Sequence, residues 1–477
     1  MSGFEAAMKE AEKENLMTAL HLTPAELETF ERVRDKFVPT LSDVNEILDD
    51  TLVGEYETRM SLFTLYILSR ICTYVTGPSA GGKSAVMDAC IDCLMPGDGL
   101  VVEGGSEKAI FDMARKIEKC KYVEIRELNK INTDWIEIFK SWGEGKPYEY
   151  KRSKGIVGGT SDMILPPRPF VVSRADESAN NVEVGAEMRS RLVEITVDGS
   201  QRQTRSVMSR QAENVENPFA VKQVDNLRKA CLKWHISNLP EFDIYVNPAG
   251  GFLKTFIPTV FTTARRDFPK YLKNCEGIAR FYHKERISGM VQGQSTLFVT
   301  PADMFLNHRI FGTNLIESAL RCSHLEKIII KVLDNGGAQT KAQIQRSLRD
   351  ESVNATLKVV ETHLNHLADI GYLNVEKPGR ENVYSVSDFY NEFAITPDFR
   401  QIVEYTKNTM QSVEHYAPFA DEYIERFCTG NIIVQDPITG EDINICAYRF
   451  DAPHGGTRKD ESTRIEKTSP KGQLTLF

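Results

Sequence analysis

The chain has 477 residues, 41% of them hydrophobic, with 58 lysines and arginines against 67 aspartates and glutamates for a formal net charge of −9. That leaves room for about two to four domains and restricts any nucleic-acid contact to local basic runs. No apolar stretch approaches the roughly 18 residues of a membrane span, and the charged opening MSGFEAAMKEAEKENLM is unlike a signal peptide, so the sequence argues against a membrane protein and predicts a cytoplasmic one.

In chain order, residues 1–65 read as an N-terminal helical segment, with Thr23 as a helix cap and Pro24 at the first helical position of PAELETFERV. From 66 to 215, short β-branched runs (TYVT, KYVEI, PFVVS, VEITV) alternate with helical patterns, which predicts an α/β core in which a mostly parallel sheet is sandwiched by helices. Cys90 and Cys93 form a C-x-x-C on the first of those helices. With no second pair nearby, they read as packing residues rather than zinc ligands, and the nine scattered cysteines as reduced thiols. Residues 201–320 look mainly helical, with 216–320 read as a lid. Residues 321–392 give helix, short helix, longer helix and two strands around a Pro-Gly turn, the order of a winged helix. A C-terminal α+β extension is expected over 393–453. A disordered polar tail with an apolar end is expected over 454–477.

The chemistry concentrates in Gly77-Pro78-Ser79-Ala80-Gly81-Gly82-Lys83-Ser84, which fits G-x-x-x-x-G-K-S between a strand and a helix. Glycines let successive N–H groups turn inward on phosphate oxygens at the positive end of a helix. Lys83 is then expected on the β- and γ-phosphates of ATP, and the Ser84 hydroxyl on magnesium. The run CKYVEIRE ends in Glu127, the candidate to polarise an attacking water.

Around this loop the sequence resembles the minichromosome maintenance (MCM) AAA+ helicases. RELNKI (126–131) is similar to their D-E-F-D-K-M segment, and the run from Glu144 to Ser178 to their hairpin, fourth strand and first sensor. MRSRLVEITVD is similar to the arginine-finger segment, and YLKNCEGIARFYHKER to the lid with the second sensor. The resemblance covers roughly residues 66 to 390. It implies Glu127 as catalytic glutamate and Ser173 as first sensor. Arg191 becomes an arginine finger inserted into a neighbouring subunit, and hence implies a ring, expected as a hexamer. For the second sensor it leaves Lys273 and Arg280 open, with Arg266 a weaker option. The chain departs from the family at Arg126, where an aspartate is expected; Glu124 or Asp88 would have to substitute, and hydrolysis would be slow. It also lacks the family's oligonucleotide-binding barrel and zinc region.

Three groups of residues are candidate DNA contacts. Lys151, Arg152 and Lys154 lie on the hairpin with Tyr148 and Tyr150 as stacking rings. Lys358 lies on the third helix of the winged helix, and Lys377 and Arg380 on its wing. His363 and His366 read as surface or packing residues. The terminal GQLTLF resembles sliding-clamp docking peptides. The expected function is an ATP-dependent DNA-translocating or remodelling ATPase in replication. The alternatives are a nucleotide-switched DNA-binding regulator with little turnover, or a loader of replication proteins.

Overall fold

Five short runs carry enough β-branched and aromatic residues to be buried on both faces, and that double burial draws helices onto each side. In the computed structural model they are β1 (Thr73–Thr76), β2 (Gly99–Val102), β3 (Tyr122–Ile125), β6 (Phe170–Ser173) and β7 (Val193–Thr196). All five are parallel in the order β2-β3-β6-β1-β7, with Thr73 opposite both Val171 and Val193. An antiparallel hairpin, β4 (Tyr148–Ser153) and β5 (Thr160–Leu165), is inserted between β3 and β6. The structure describes residues 3–78, 80–103, 113–126, 133–153, 160–173, 191–217, 225–257, 259, 264–312, 322, 324–350, 353, 355–391 and 397–450.

The chain divides into two units, the first formed by 1–324, 351–353 and 398–448, the second by 325–350 and 354–397 with the C-terminal residues. In the first, helices α1 (Gly3–Leu20), α2 (Pro24–Val33), α3 (Leu41–Asp49) and α4 (Tyr56–Leu62) precede a π-helical stretch, Phe63–Leu68, that leads into β1. As expected, Thr23 caps α2, and Glu26 returns a bond to the Thr23 backbone. Helix α5 (Lys83–Ile91) follows β1, α6 (Ala114–Lys119) precedes β3, and α7 (Thr133–Gly143) follows it. On α7, Trp135, Ile138, Phe139 and Trp142 face the sheet, and Phe139 stacks on Phe170 with ring centroids 4.5 Å apart. On α5, the Cys90 thiol donates to Arg59 O and that of Cys93 to Ala89 O, so both are buried packing groups.

Beyond β7 come α8 (Gln201–Glu216), which has no buried residue, and α9 (Asn226–Ser237). The expectation of a mainly helical 201–320 is corrected by a three-stranded sheet, β8 (Ile244–Val246), β9 (Ser288–Val291) and β10 (Gln294–Phe298), around α10 (Ala264–Phe281). Helix α11 (Pro301–Asn307) follows, and the helix Phe399–Ser412 packs against it. Among the described residues no helix is long and apolar enough to cross a membrane.

Burial fixes the charge state of two imidazoles here. His235, hydrogen-bonded to Phe281 O and stacked on His283, is pushed down to about 4, and His308 to about 3. The unfolded chain takes up protons below about 6.5, so their contribution is complete above that pH and is lost as pH falls. Glu124 and Glu276, raised to about 7 by burial, run the other way: theirs is complete below about 4.5 and is lost as pH rises through 7. The whole-chain slope is therefore a difference, and the informative comparison is with single variants. The gap in unfolding free energy between wild type and His235→Gln should change by about 2–3 kcal/mol between pH 7.5 and 4.5. A gap independent of pH in urea titrations would contradict the burial of a neutral ring.

In the second unit, α12 (His324–Gly336), β11 (Gln339–Thr340), α13 (Lys341–Asp350), α14 (Leu357–Asp369), β12 (Leu373–Glu376) and β13 (Val383–Val386) close a three-stranded sheet in the order β11-β13-β12. Thr340 caps α13 through the Gln343 N–H, and Val360, Leu364 and Leu367 form the buried face of α14.

Candidate nucleotide site

Because the five strands are parallel, their carboxyl ends deliver one set of groups to one edge of the sheet. The connection leaving β1 runs through α5 to β2, whereas that leaving β6 crosses to β7 on the far side of β1. The chain thus departs in opposite directions from two adjacent strands, the arrangement at which open α/β sheets hold ligands. At that point stands the loop 77–82. Gly77 has φ +140°, and a Cβ there would run into Val197 Cγ2; Gly82 has φ +87° and caps α5. Ala80 is held at φ 60°, a strained conformation for a residue with a side chain. Lys83 folds over the loop and donates to Gly77 O (3.0 Å) and Pro78 O (2.6 Å). Ser84 is exposed on the first turn of α5, Ser79 lies outside the described residues, and Ser173 sits buried at the end of β6 opposite Val75.

The end of β3 is occupied differently. Arg126 directs its nitrogens to three carboxylates: Nε to Glu124 (3.0 Å), Nη1 to Glu103 at the end of β2 (3.1 Å), and Nη2 to Asp88 on α5. Glu124 is fully buried, and its Oε2 has no hydrogen-bond partner among the described residues. Burial raises its pKa to about 7 against the pull of Arg126. Glu127 lies outside the described residues. The two carboxylates expected to stand in for the missing aspartate are thus already ion-paired. The residues present do not fit a carboxylate-supported magnesium beside Ser84. Glu103 had escaped the sequence reading; its only signal is an acidic residue directly after a strand.

The lid cations need correction. Helix α10 touches the sheet through Ser69–Asn274 (2.6 Å) and Lys270 Nζ–Leu192 O (3.0 Å), contacts that precede β1 and β7. It therefore lies at the amino ends of the strands, one strand length, about 13 Å, from the loop. Arg280 is buried and donates to both Glu241 oxygens and to Leu68 O, and Lys273 is exposed between the two sheet contacts. Arg266 is exposed at the start of the same helix. This geometry does not bring Lys273 or Arg280 to phosphates on the loop of the same chain. Arg191 also stands at the amino end of β7, bound through Nε and Nη2 to Glu144 (2.9 and 2.8 Å).

On the hairpin, Lys151 and Arg152 pair by backbone with Asp162 and Ser161, and Lys154 lies outside the described residues. Tyr148, expected as a stacking ring, is instead half-buried against the core of Trp135 and Phe139. In the second unit Lys358, Lys377 and Arg380 are exposed, as are Leu357 (43%), Val359 (40%) and Val375 (45%). His363 and His366 both meet Glu326 Oε1, at 3.0 and 2.7 Å, which accounts for their spacing without a metal. GQLTLF lies outside the described residues.

No family model matches the chain. No curated protein matches it. Among solved structures it is similar to the crystal structure of a protein from Cytophaga hutchinsonii described as a candidate ATPase, with 10% identity, a TM-score of 0.36, and coverage of 62% of this chain and 97% of the other. That likeness is too loose to transfer a function from one chain to the other.

Proposed function

We propose that this chain is a P-loop nucleotide-binding ATPase of the AAA+ type that acts on DNA, with a winged helix as its second unit. The observation that carries the reading is the G-x-x-x-x-G-K-S loop at the carboxyl end of β1, beside Ser173 and at the head of α5. A loop of that geometry presents backbone N–H groups to phosphate where a helix N-terminus favours negative charge. The finer proposal is an MCM-like motor in replication. In it Arg191 serves the site of a neighbouring copy in a hexameric ring, Glu127 orients water, and Lys151, Arg152, Lys154, Lys358, Lys377 and Arg380 track DNA phosphates. GQLTLF would dock a sliding clamp. Placement of Arg191 at the amino end of β7, away from its own loop, suits a role in a neighbour's site.

A second reading, a nucleotide-controlled DNA-binding protein with little turnover, is favoured by Arg126 and its three carboxylates. Steady-state ATP hydrolysis with and without single-stranded DNA separates the two. A motor shows DNA-stimulated turnover that Glu127→Gln lowers by about 10²-fold or more and that Arg191→Ala subunits depress when mixed with wild type. Tight ATP binding with no stimulation would sink the motor and leave the switch.

A further inference from the structure

We propose that the Arg126 guanidinium is the resident cation of this nucleotide site, so that a nucleoside triphosphate binds there with little help from a divalent metal; the inference rests on the nucleotide reading above. Ser84 and Asp88 are four residues apart on α5 and so share one face, with Cβ atoms about 5–6 Å apart. Arg126 Nη2 grips Asp88, which stations the guanidinium roughly one helical turn from the hydroxyl that a metal would use. Its other two arms hold Glu103 and Glu124, one from each neighbouring strand, and Glu124 is too deeply buried to swing outward.

Magnesium dehydrates reluctantly and is held by one or two carboxylates together with substrate phosphates. Each carboxylate here already accepts a charge-assisted bond, and a metal approaching Ser84 meets a positive charge that no physiological pH removes. The same permanent charge favours the phosphate oxygens it faces across the first turn of α5.

The test is isothermal titration of the full-length chain with ATPγS, in magnesium and in EDTA. For wild type the two dissociation constants should agree within about threefold. Arg126→Gln frees the carboxylates and should weaken binding in EDTA, widening the ratio to about tenfold or more. Should Arg126→Gln fail to fold by circular dichroism, the paired Glu124→Gln, Arg126→Gln variant carries the same expectation with one buried charge fewer. A wild-type ratio of about tenfold or more, or a ratio unmoved by the substitution, overturns the proposal while leaving Lys83-dependent binding intact. If neither condition shows binding and Lys83→Ala titrates like wild type, the nucleotide reading itself falls, and this inference with it.

Discussion

Replacing Arg59 by alanine is expected to remove about 3–5 kcal/mol from the stability of the first unit, a large share of the roughly 5–15 kcal/mol that holds a domain together. The side chain is fully buried on α4, yet every arm has a partner. Nε donates to Asn45 Oδ1 (2.6 Å), Nη2 to Asn45 O (3.0 Å), and Nη1 to Asp49 Oδ1, Leu52 O and Gly54 O (3.1 to 3.2 Å). The Tyr56 ring covers the guanidinium at 4.5 Å. One cation therefore satisfies the end of α3 and the turn into α4, carbonyls that no other group on those segments can reach. Alanine leaves them buried and unpaired, at about 1–3 kcal/mol for each such group, and opens a cavity where the stem lay. The carboxylate of Asp49 loses less, being 37% exposed.

Arg59→Lys should recover only part of the loss, since a single ammonium cannot serve acceptors arranged around a planar fork. The three tryptophans, Trp135, Trp142 and Trp234, all lie in the first unit, so fluorescence-detected urea unfolding reports on that unit alone. A shift below about 1 kcal/mol would mean the guanidinium is replaceable by water, and would contradict the burial.

Much of this architecture was legible because its signals are local. The loop 77–84, the Thr23 and Thr340 caps and the helix order of the second unit each depend on residues within a few positions of one another. The sheet was legible as strands but not as an order, since alternation does not say that β6 lies between β1 and β3. The sheet β8-β10-β9 escaped because its hairpin turns on Gln292-Gly293, whose φ values of 51° and 80° belong to a turn type usually signalled by asparagine or aspartate before glycine. The lid helix was read for its charges, and charge alone cannot show which end of a sheet a helix packs against. Asn274 and Gly277, the small and polar residues that fit α10 onto Ser69, decide that point. Nor does sequence adjacency reveal that 398–448 rejoin the first unit, tied there by an ion pair between Arg309 and Asp436.

Lys83→Ala should cut affinity for ATP by roughly 10- to 150-fold, the equivalent of one charged hydrogen-bonding arm at about 1.5–3 kcal/mol, while leaving stability nearly unchanged. Stability is spared because the partners of Lys83, the carbonyls of Gly77 and Pro78, lie in a loop that water can reach when the ammonium is gone. Gly77→Ala is the informative contrast. Its Cβ would strike Val197, and the backbone must hold φ +140°, so the loop has to shift against β7 before any phosphate arrives. Both variants should bind nucleotide poorly, but only Gly77→Ala should also lower the urea midpoint. Equal binding by Lys83→Ala and wild type, measured with a fluorescent ATP analogue, would show that the loop does not hold phosphate. Loss of binding in Lys83→Ala at unchanged midpoint would separate the ammonium's hold on phosphate from the packing of the loop, since removing the side chain disturbs no buried neighbour.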